Sequence, residues 1–350
     1  MNKKLLALAV AAASVSTAAS AATIYKDDTS TLNMGGRVEV RANFSDANKD
    51  QNANDNTYKD ASRVRLNIEG IQKYNDDLSF YGFTEYELSD KATGGDDTDI
   101  NTRYLFAGIQ TTYGDLYYGH QDTSFTYLTN FTDVAENFSG SINEYSAATA
   151  DRADNVLRYA LSVDRLTVQA HIQGNSDADG AVASDNNGYG IIAAYKLTDA
   201  LEIGAGWAAA DGNANIIKGS NGNILTSDDT GKNQTYTAAV KYVNDGLWLA
   251  ATYEGGKVSS TENDEDDFNA ADAYAGYTFG DNNVNLTYNY YDTDTQKNLN
   301  MNNIGLEYAR YFGDHATVYG AYMINLLSDS DAASDAQTDD QIQIGLRYAF

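Results

Sequence analysis

Gln341-Ile-Gln-Ile-Gly-Leu-Arg-Tyr-Ala-Phe350 ends the chain, with Ile342, Ile344, Leu346, Tyr348 and Phe350 apolar and the residues between them polar or small. A period of two over such a stretch describes a strand with one face in an apolar medium and the other in water. A strand that runs to the last residue needs a hydrogen-bonding partner, and a closed barrel supplies its own first strand. The stretch therefore predicts an all-β fold: a transmembrane β-barrel closed between the two ends of the chain.

The opposite end carries Lys3 and Lys4, an apolar run from Leu5 to Val15, and small residues leading to Ala19-Ser20-Ala21. This is the three-part layout of a secretory signal peptide. Residues 1–21 are expected to be removed on export, leaving one barrel domain over residues 22–350. The rest of the chain offers no apolar run of the roughly 20 residues that a membrane helix needs, so any membrane entry is by strands. The sequence has no Cys and no Pro. The first removes disulfides from consideration, and the second suits long ladders in which every residue must donate.

There are 23 Lys and Arg against 50 Asp and Glu, a net charge of −27. That balance excludes nucleic acid as a partner, because phosphate binding rests on basic side chains. The acids gather between the alternating stretches, notably in Thr261 to Asp267 and Ser328 to Asp340, which read as surface loops.

Alternation recurs along the chain. The first strand sets Met34, Val38, Val40 and Ala42 against Arg37, Glu39 and Arg41, and the second sets Val64, Leu66 and Ile68 against Arg63, Arg65, Asn67 and Glu69. Charges at every second position cannot face a dry core, so one sheet face is wet. Tyr159, Tyr195, Tyr242, Tyr277, Tyr308 and Tyr348 mark strand ends beside short turns about 38 residues apart, the spacing of a hairpin with one short and one long connection. Strand centres at Val38, Leu66, Tyr81, Leu105, Tyr117, Leu157, Val168, Ile191, Ile203, Ala238, Leu249, Ala275, Leu286, Leu306, Tyr319 and Leu346 give sixteen antiparallel strands, with eight long connections on one side.

The third long connection, Gln121 to Asp151, differs from the others in carrying Phe125, Tyr127, Leu128, Phe131, Val134, Phe138, Ile142 and Tyr145. So much apolar material in a long loop argues for packing, and the loop is expected to fold inward against the barrel wall. Its acids Asp133, Glu136 and Glu144 then reach the lumen. Alternation places Arg37, Arg65, Arg103 and Arg158 on the lumen side of the wall.

From Gly35-Gly36-Arg37 through Ser62-Arg63-Val64-Arg65-Leu66 and Tyr104-Leu105-Phe106-Ala107-Gly108 to the terminal Tyr-Ala-Phe, the chain resembles the trimeric general diffusion porins of Gram-negative outer membranes, most of all those of vibrios and related marine bacteria. The resemblance implies passive passage of ions and small hydrophilic solutes, a homotrimer, and contact with outer-membrane lipid and lipopolysaccharide. It also implies recognition of the C-terminal strand ending at Phe350 by the barrel-assembly machinery. Phe131-Thr132-Asp133-Val134-Ala135-Glu136-Asn137-Phe138 resembles the tip of the family's constriction loop, which implies constriction acids at Asp133 and Glu136. The enteric branch has a Pro-Glu pair before the tip's Phe, so the second acid is displaced here by one residue. The basic ladder carries over to Arg37, Arg65, Arg103 and Arg152.

Acidic loops and lumen acids such as Glu39, Glu69, Glu85 and Glu87 predict a modest preference for cations. The alternatives are a solute-specific channel, which needs a continuous aromatic path where only Tyr81 and Phe83 are clear on the early strands, or a receptor or adhesin working through its acidic loops. An enzyme is not expected. Nucleophilic catalysis needs a base beside its nucleophile, and His120, His171 and His315 have no catalytic spacing. No cofactor or metal site is read, although the run from Glu262 to Asp267 could hold divalent cations weakly or through lipopolysaccharide bridges.

Overall fold

The computed structural model describes residues 21–49, 56–89, 100–142, 152–174, 187–211, 232–261, 264–294 and 299–350. The expected signal peptide lies outside them except for Ala21, and so does Glu144. Eighteen strands are described: β1 (Ala22–Lys26), β2 (Ser30–Ser45), β3 (Tyr58–Asp60), β4 (Arg63–Lys73), β5 (Leu78–Ser89), β6 (Ile100–Thr111), β7 (Gly114–Asp122), β8 (Arg152–Val163), β9 (Leu166–Gln173), β10 (Asn187–Lys196), β11 (Leu201–Asp211), β12 (Lys232–Asn244), β13 (Leu247–Thr261), β14 (Asp264–Phe279), β15 (Asn282–Thr293), β16 (Met301–Phe312), β17 (Ala316–Asn325) and β18 (Gln341–Ala349). Sixteen of these, β2 and β4 to β18, form the closed antiparallel ring, and all sixteen strand centres read from the sequence fall in them.

The seam is the C-terminal strand. β18 pairs with β2 from Gln341↔Ser45 to Ala349↔Arg37. Phe350 extends the ladder, its N–H donating to Gly36 at 2.9 Å and its carbonyl accepting from Gly36 at 2.8 Å. Ile342, Ile344, Leu346 and Tyr348 are about half exposed on the outer face, while Gln343 is buried inside. A closed ring leaves no wall strand with an unpaired edge in lipid, the one sheet arrangement that hydrocarbon permits.

The two short strands lengthen the seam. β1 turns back through Asp27 and Thr29 to pair with β2 below the end of β18. Asp27 fastens this turn by accepting from the hydroxyl of Tyr25 and the amides of Thr29 and Ser30, bonds that hold its carboxyl well below the usual range. β3 pairs with Ala42 to Phe44 of β2, where the β4 pairing has ended. Arg41 bridges the break, its Nε donating to the Ala61 carbonyl at 3.0 Å.

The six marker tyrosines all lie on the outer face and are exposed, as suits amphipathic rings at a membrane interface. One stretch departs from the sequence reading. Asp264 to Asp267, part of a stretch read as a surface loop, continues the β13–β14 hairpin, paired through Val258↔Asp266 and Ser259↔Glu265. With 15 and 16 residues, these strands exceed the 9–11 or so that span a bilayer. Beyond the lipid a strand needs no apolar face, so its acidic composition hid it.

A β-carbon on Gly36 would come within 2.4 Å of the Arg65 carbonyl oxygen and 3.0 Å of the Phe350 ring, whereas one on Gly320 would meet Ile344 only at 3.7 Å. Gly36→Val is therefore expected to lower the yield of folded barrel several-fold, with Gly320→Ala near parental. Heat-modifiable gel mobility reads this, and equal folding of the two variants would contradict the crowding at the seam.

Candidate functional site

The segment that follows β7 turns into the barrel. Phe125 and Leu128, the latter on the single turn α1 (Thr126–Thr129), pack with Phe131 against Ile192, Ala194 and Ala208 on the inner wall. Small wall residues make the space: a β-carbon at Gly204 would sit 2.3 Å from Leu128. Trp248 donates its indole N–H to the Phe131 carbonyl at 3.0 Å. The Lys241 ammonium lies 4.0 Å from the Phe131 ring centre and 3.1 Å from Glu202, which also accepts the Tyr127 hydroxyl at 2.8 Å.

The tip is held by carboxylates. Glu307 on β16, almost fully buried, accepts the Glu136 N–H at 2.9 Å, the Asn137 amide at 2.9 Å and the Asn285 amide at 3.0 Å. Asp272 on β14 accepts the Ile142 N–H at 3.0 Å. Asn289 donates to the Phe138 carbonyl at 2.9 Å. A loop docked on a wall loses water from its amides, and an ionised acceptor offsets that loss better than a neutral one. Phe138 and Gly140 have φ of 55° and 71°, and a β-carbon at Gly140 would lie 2.3 Å from Asp133 Cγ. The tip can reverse there because residue 140 has no side chain.

Facing inward from β2 to β6 is a mixed ladder of charges. Arg63 donates to Glu39 at 2.6 Å, with Arg37 at 3.8 Å from the same oxygen, and Arg65 donates to Glu87. Arg103 reaches Glu85 at 2.9 Å and Glu87 at 3.8 Å. Its position depends on a bulge: the β5–β6 register passes from Glu85↔Tyr104 to Tyr86↔Thr102, skipping Arg103. Tyr104 and Phe106 share the inner face, so the extra residue is what lets Arg103 share that side as well.

The acids read from the loop part company. Asp133 is exposed and accepts the Ser139 hydroxyl at 3.1 Å. Glu136 instead meets Arg347 of β18 in a two-pronged pair, one arm at 2.7 Å. Glu136 is thus balanced by a cation on β18 that the sequence reading did not pair with it. With its backbone N–H pinned to Glu307, its side chain lies beside β18, where Arg347 is cross-strand to Glu39. Arg152 lies over the Tyr104 ring at 5.3 Å, by the loop root, and Arg158 over the Tyr117 ring at 5.7 Å, only 6% exposed.

Sequence reasoning missed Arg347, Glu307, Asp272, Glu202 and Lys241 as parts of this site. For Arg347 the signal was present, since it falls between the outward Leu346 and Tyr348; the buried acids give none, because a wet lumen predicts the same alternation. It also missed Tyr104, Phe106 and Tyr117, which join Tyr81 and Phe83 in one inner-wall cluster. Each of the four rings Tyr81, Phe83, Phe106 and Tyr117 is at most 9% exposed, so the cluster packs the wall and offers no open track of rings. His120 lies on β7 opposite the outward Leu105 and hydrogen-bonds with Asp154 at 2.7 Å. Among the described residues no group of His, Cys, Asp and Glu is arranged to hold a metal ion.

Comparison with known proteins agrees with this architecture. The sequence pattern of the Gram-negative porin family matches residues 6–330. Porin-like protein L of Photobacterium profundum is 36% identical over 362 residues, and outer membrane protein U of Vibrio parahaemolyticus 32% identical over 373, each alignment covering all of both chains. Among solved structures, Salmonella typhi OmpF in complex with daunomycin superposes with a TM-score of 0.76 at 22% identity, covering 94% of this chain and 100% of that one. The trimer form of OmpT from Vibrio cholerae gives 0.67 at 17%, covering 92% and 100%. With a closed sixteen-stranded wall, a charged lumen and relatives matched end to end, the chain belongs to the Gram-negative porin family and is a passive diffusion channel of the outer membrane, not an enzyme.

Proposed function

We propose that this channel passes small hydrophilic solutes and ions with a modest preference for cations, as a homotrimer. Its narrowest part would lie between the docked segment 131–140 and the arginine-bearing wall of β2 to β6. The observation that carries this reading is the anchoring of the loop tip on inward-facing Glu307 and Arg347, beside the ladder of Arg37, Arg63, Arg65 and Arg103. Charges of both signs across a narrow aqueous gap orient water and favour polar over apolar solutes of equal size. Asp133 is the acid a passing ion would meet most directly. Glu136 acts through its balance with Arg347, while Arg152 and Arg158 flank the loop root.

The cation preference is supported by the acidic composition, which raises the local concentration of cations around the mouth. Removal of residues 1–21 during export, lipopolysaccharide contact, and recognition of the C-terminal strand by the assembly machinery belong to the same proposal. The matching trimer form of OmpT supports the oligomer.

Single-channel recording in a planar bilayer under a salt gradient tests the reading. Large conductance in three equal steps, with a reversal potential on the cation side, is expected. An anion-side potential would overturn the selectivity, and a folded barrel without conductance would overturn the open pore.

A further inference from the structure

At the root of the inward loop, the backbone N–H of Ser124 lies 3.1 Å from His171 Nδ1 and the Ser124 hydroxyl 2.7 Å from the same atom. One lone pair thus receives two donors, and both residues are buried. The arrangement exists only while Nδ1 carries no proton, since a protonated ring nitrogen donates and cannot accept. Ser124 is followed by Phe125 and Leu128, the first apolar anchors of the loop. Position 171 is therefore the wall contact at the point where the loop leaves β7.

The surroundings oppose a charge on the ring. His171 is directly cross-strand to Arg158 of β8. Arg158 makes no ion pair among the described residues, and its Nε has no hydrogen-bond partner. On its other side β10 presents Gly190, so close that a β-carbon there would come 2.6 Å from the imidazole. Its own strand presents Gln169 and Gln173, and the loop presents Ser124. Asp122, the nearest described acid along the chain from Ser124, accepts the Tyr104 hydroxyl at 2.8 Å. A proton on His171 would remove the acceptor for both Ser124 donors and set a second cation against Arg158.

We propose that His171 is a positioning residue for the constriction loop, a proton-sensitive latch that fastens the loop root to the wall when neutral and releases it toward the lumen when protonated. The inference rests on the reading of residues 123–142 as the segment that narrows the channel. Histidine is the side chain whose ordinary titration lies closest to neutral pH, and because its surroundings here oppose the charge, the latch opens only in stronger acid than a free histidine would need.

The test compares single-channel traces of the whole protein at steps from pH 7.5 to 4 for the parent and His171→Gln. A Gln amide oxygen accepts from Ser124 but does not titrate. The parent is expected to show at least a fivefold rise in closed time on acidification, and His171→Gln to lose most of that rise while still conducting at pH 7.5. Ser124→Ala, which keeps the N–H and removes the hydroxyl donor, is expected to move the parental response to higher pH by about half a unit. Heat-modifiable mobility establishes that each barrel is folded. A conducting parent without the acid response overturns the latch, as does a His171→Gln channel that closes like the parent. If His171→Gln does not fold, an unshifted Ser124→Ala profile overturns it instead. A parent that conducts at no pH overturns the diffusion-channel reading and the latch together.

Discussion

Replacing Glu307 by Leu is expected to free the tip of the inward loop and to raise the closing frequency of the channel by more than tenfold. The Glu307 carboxylate is the common acceptor for the Glu136 N–H and the Asn137 and Asn285 amides, and it is almost fully buried. Leucine fills similar space but orphans three donors, each costing about 1–3 kcal/mol when left buried and unpaired. These costs do not add fully, because the tip can relax. Even about 2 kcal/mol changes the docked-to-undocked ratio about thirtyfold. The ladder hydrogen bonds of β16 run through its backbone and are untouched, so the barrel itself should melt near the parental temperature. Glu307→Gln, which keeps one acceptor, should fall between. Parental gating in a folded Glu307→Leu barrel would show that the tip is held elsewhere.

The second large effect concerns the pair of Glu136 and Arg347, whose side chains are only 13% and 19% exposed. Each member cancels the other, so deleting either uncovers a full charge inside the pore. Glu136→Gln leaves the Arg347 guanidinium without its carboxylate and is expected to move the reversal potential toward anions. Arg347→Gln leaves Glu136 uncovered and should move it toward cations. A unit charge about 10 Å from a permeating ion, with an effective dielectric between those of protein surface and water, is worth about 1 kcal/mol. That corresponds to about a fivefold change in permeability ratio. The opposite signs are the test: shifts in the same direction would mean that the substitutions act by moving the loop and not by their charge. Raising the salt concentration should shrink both shifts, because screening shortens the reach of lumen charges.

Most of the wall was legible in the sequence because lipid imposes a strict rule on it. Val38, Leu66, Ile191, Leu249, Leu306 and Leu346 lie in strands as read, and the outward tyrosines mark their ends. A strand between hydrocarbon and water must alternate, and the alternation fixes its face without knowledge of its neighbours. The same rule fails outside the bilayer. Asp264 to Asp267 reads as loop by composition yet belongs to β14, because beyond the bilayer no lipid demands an apolar face. It fails again at a bulge. Arg103 and Tyr104 are adjacent in sequence, and the skipped register at Arg103 could not be read from their order.

The lumen is the reverse case. Alternation and residue type identified Arg37, Arg65 and Arg158 as inward cations, with Arg103 brought inward by the bulge, and showed that segment 121–151 carried too much apolar surface for a solvated loop. Its pairings were settled between elements far apart in sequence. Glu136 meets Arg347 across 211 residues, and Asn137 meets Glu307 across 170. A charged residue facing water has the same local pattern whether it stays solvated, joins an ion pair or anchors a loop. By itself, then, the sequence determined the β-barrel, its sixteen strands and the identity of the unusual loop, since each follows from local periodicity against a fixed solvent. Only the tertiary structure decided which lumen charges neutralise one another and which hold the loop, because those outcomes depend on distances between strands that closure of the barrel alone sets.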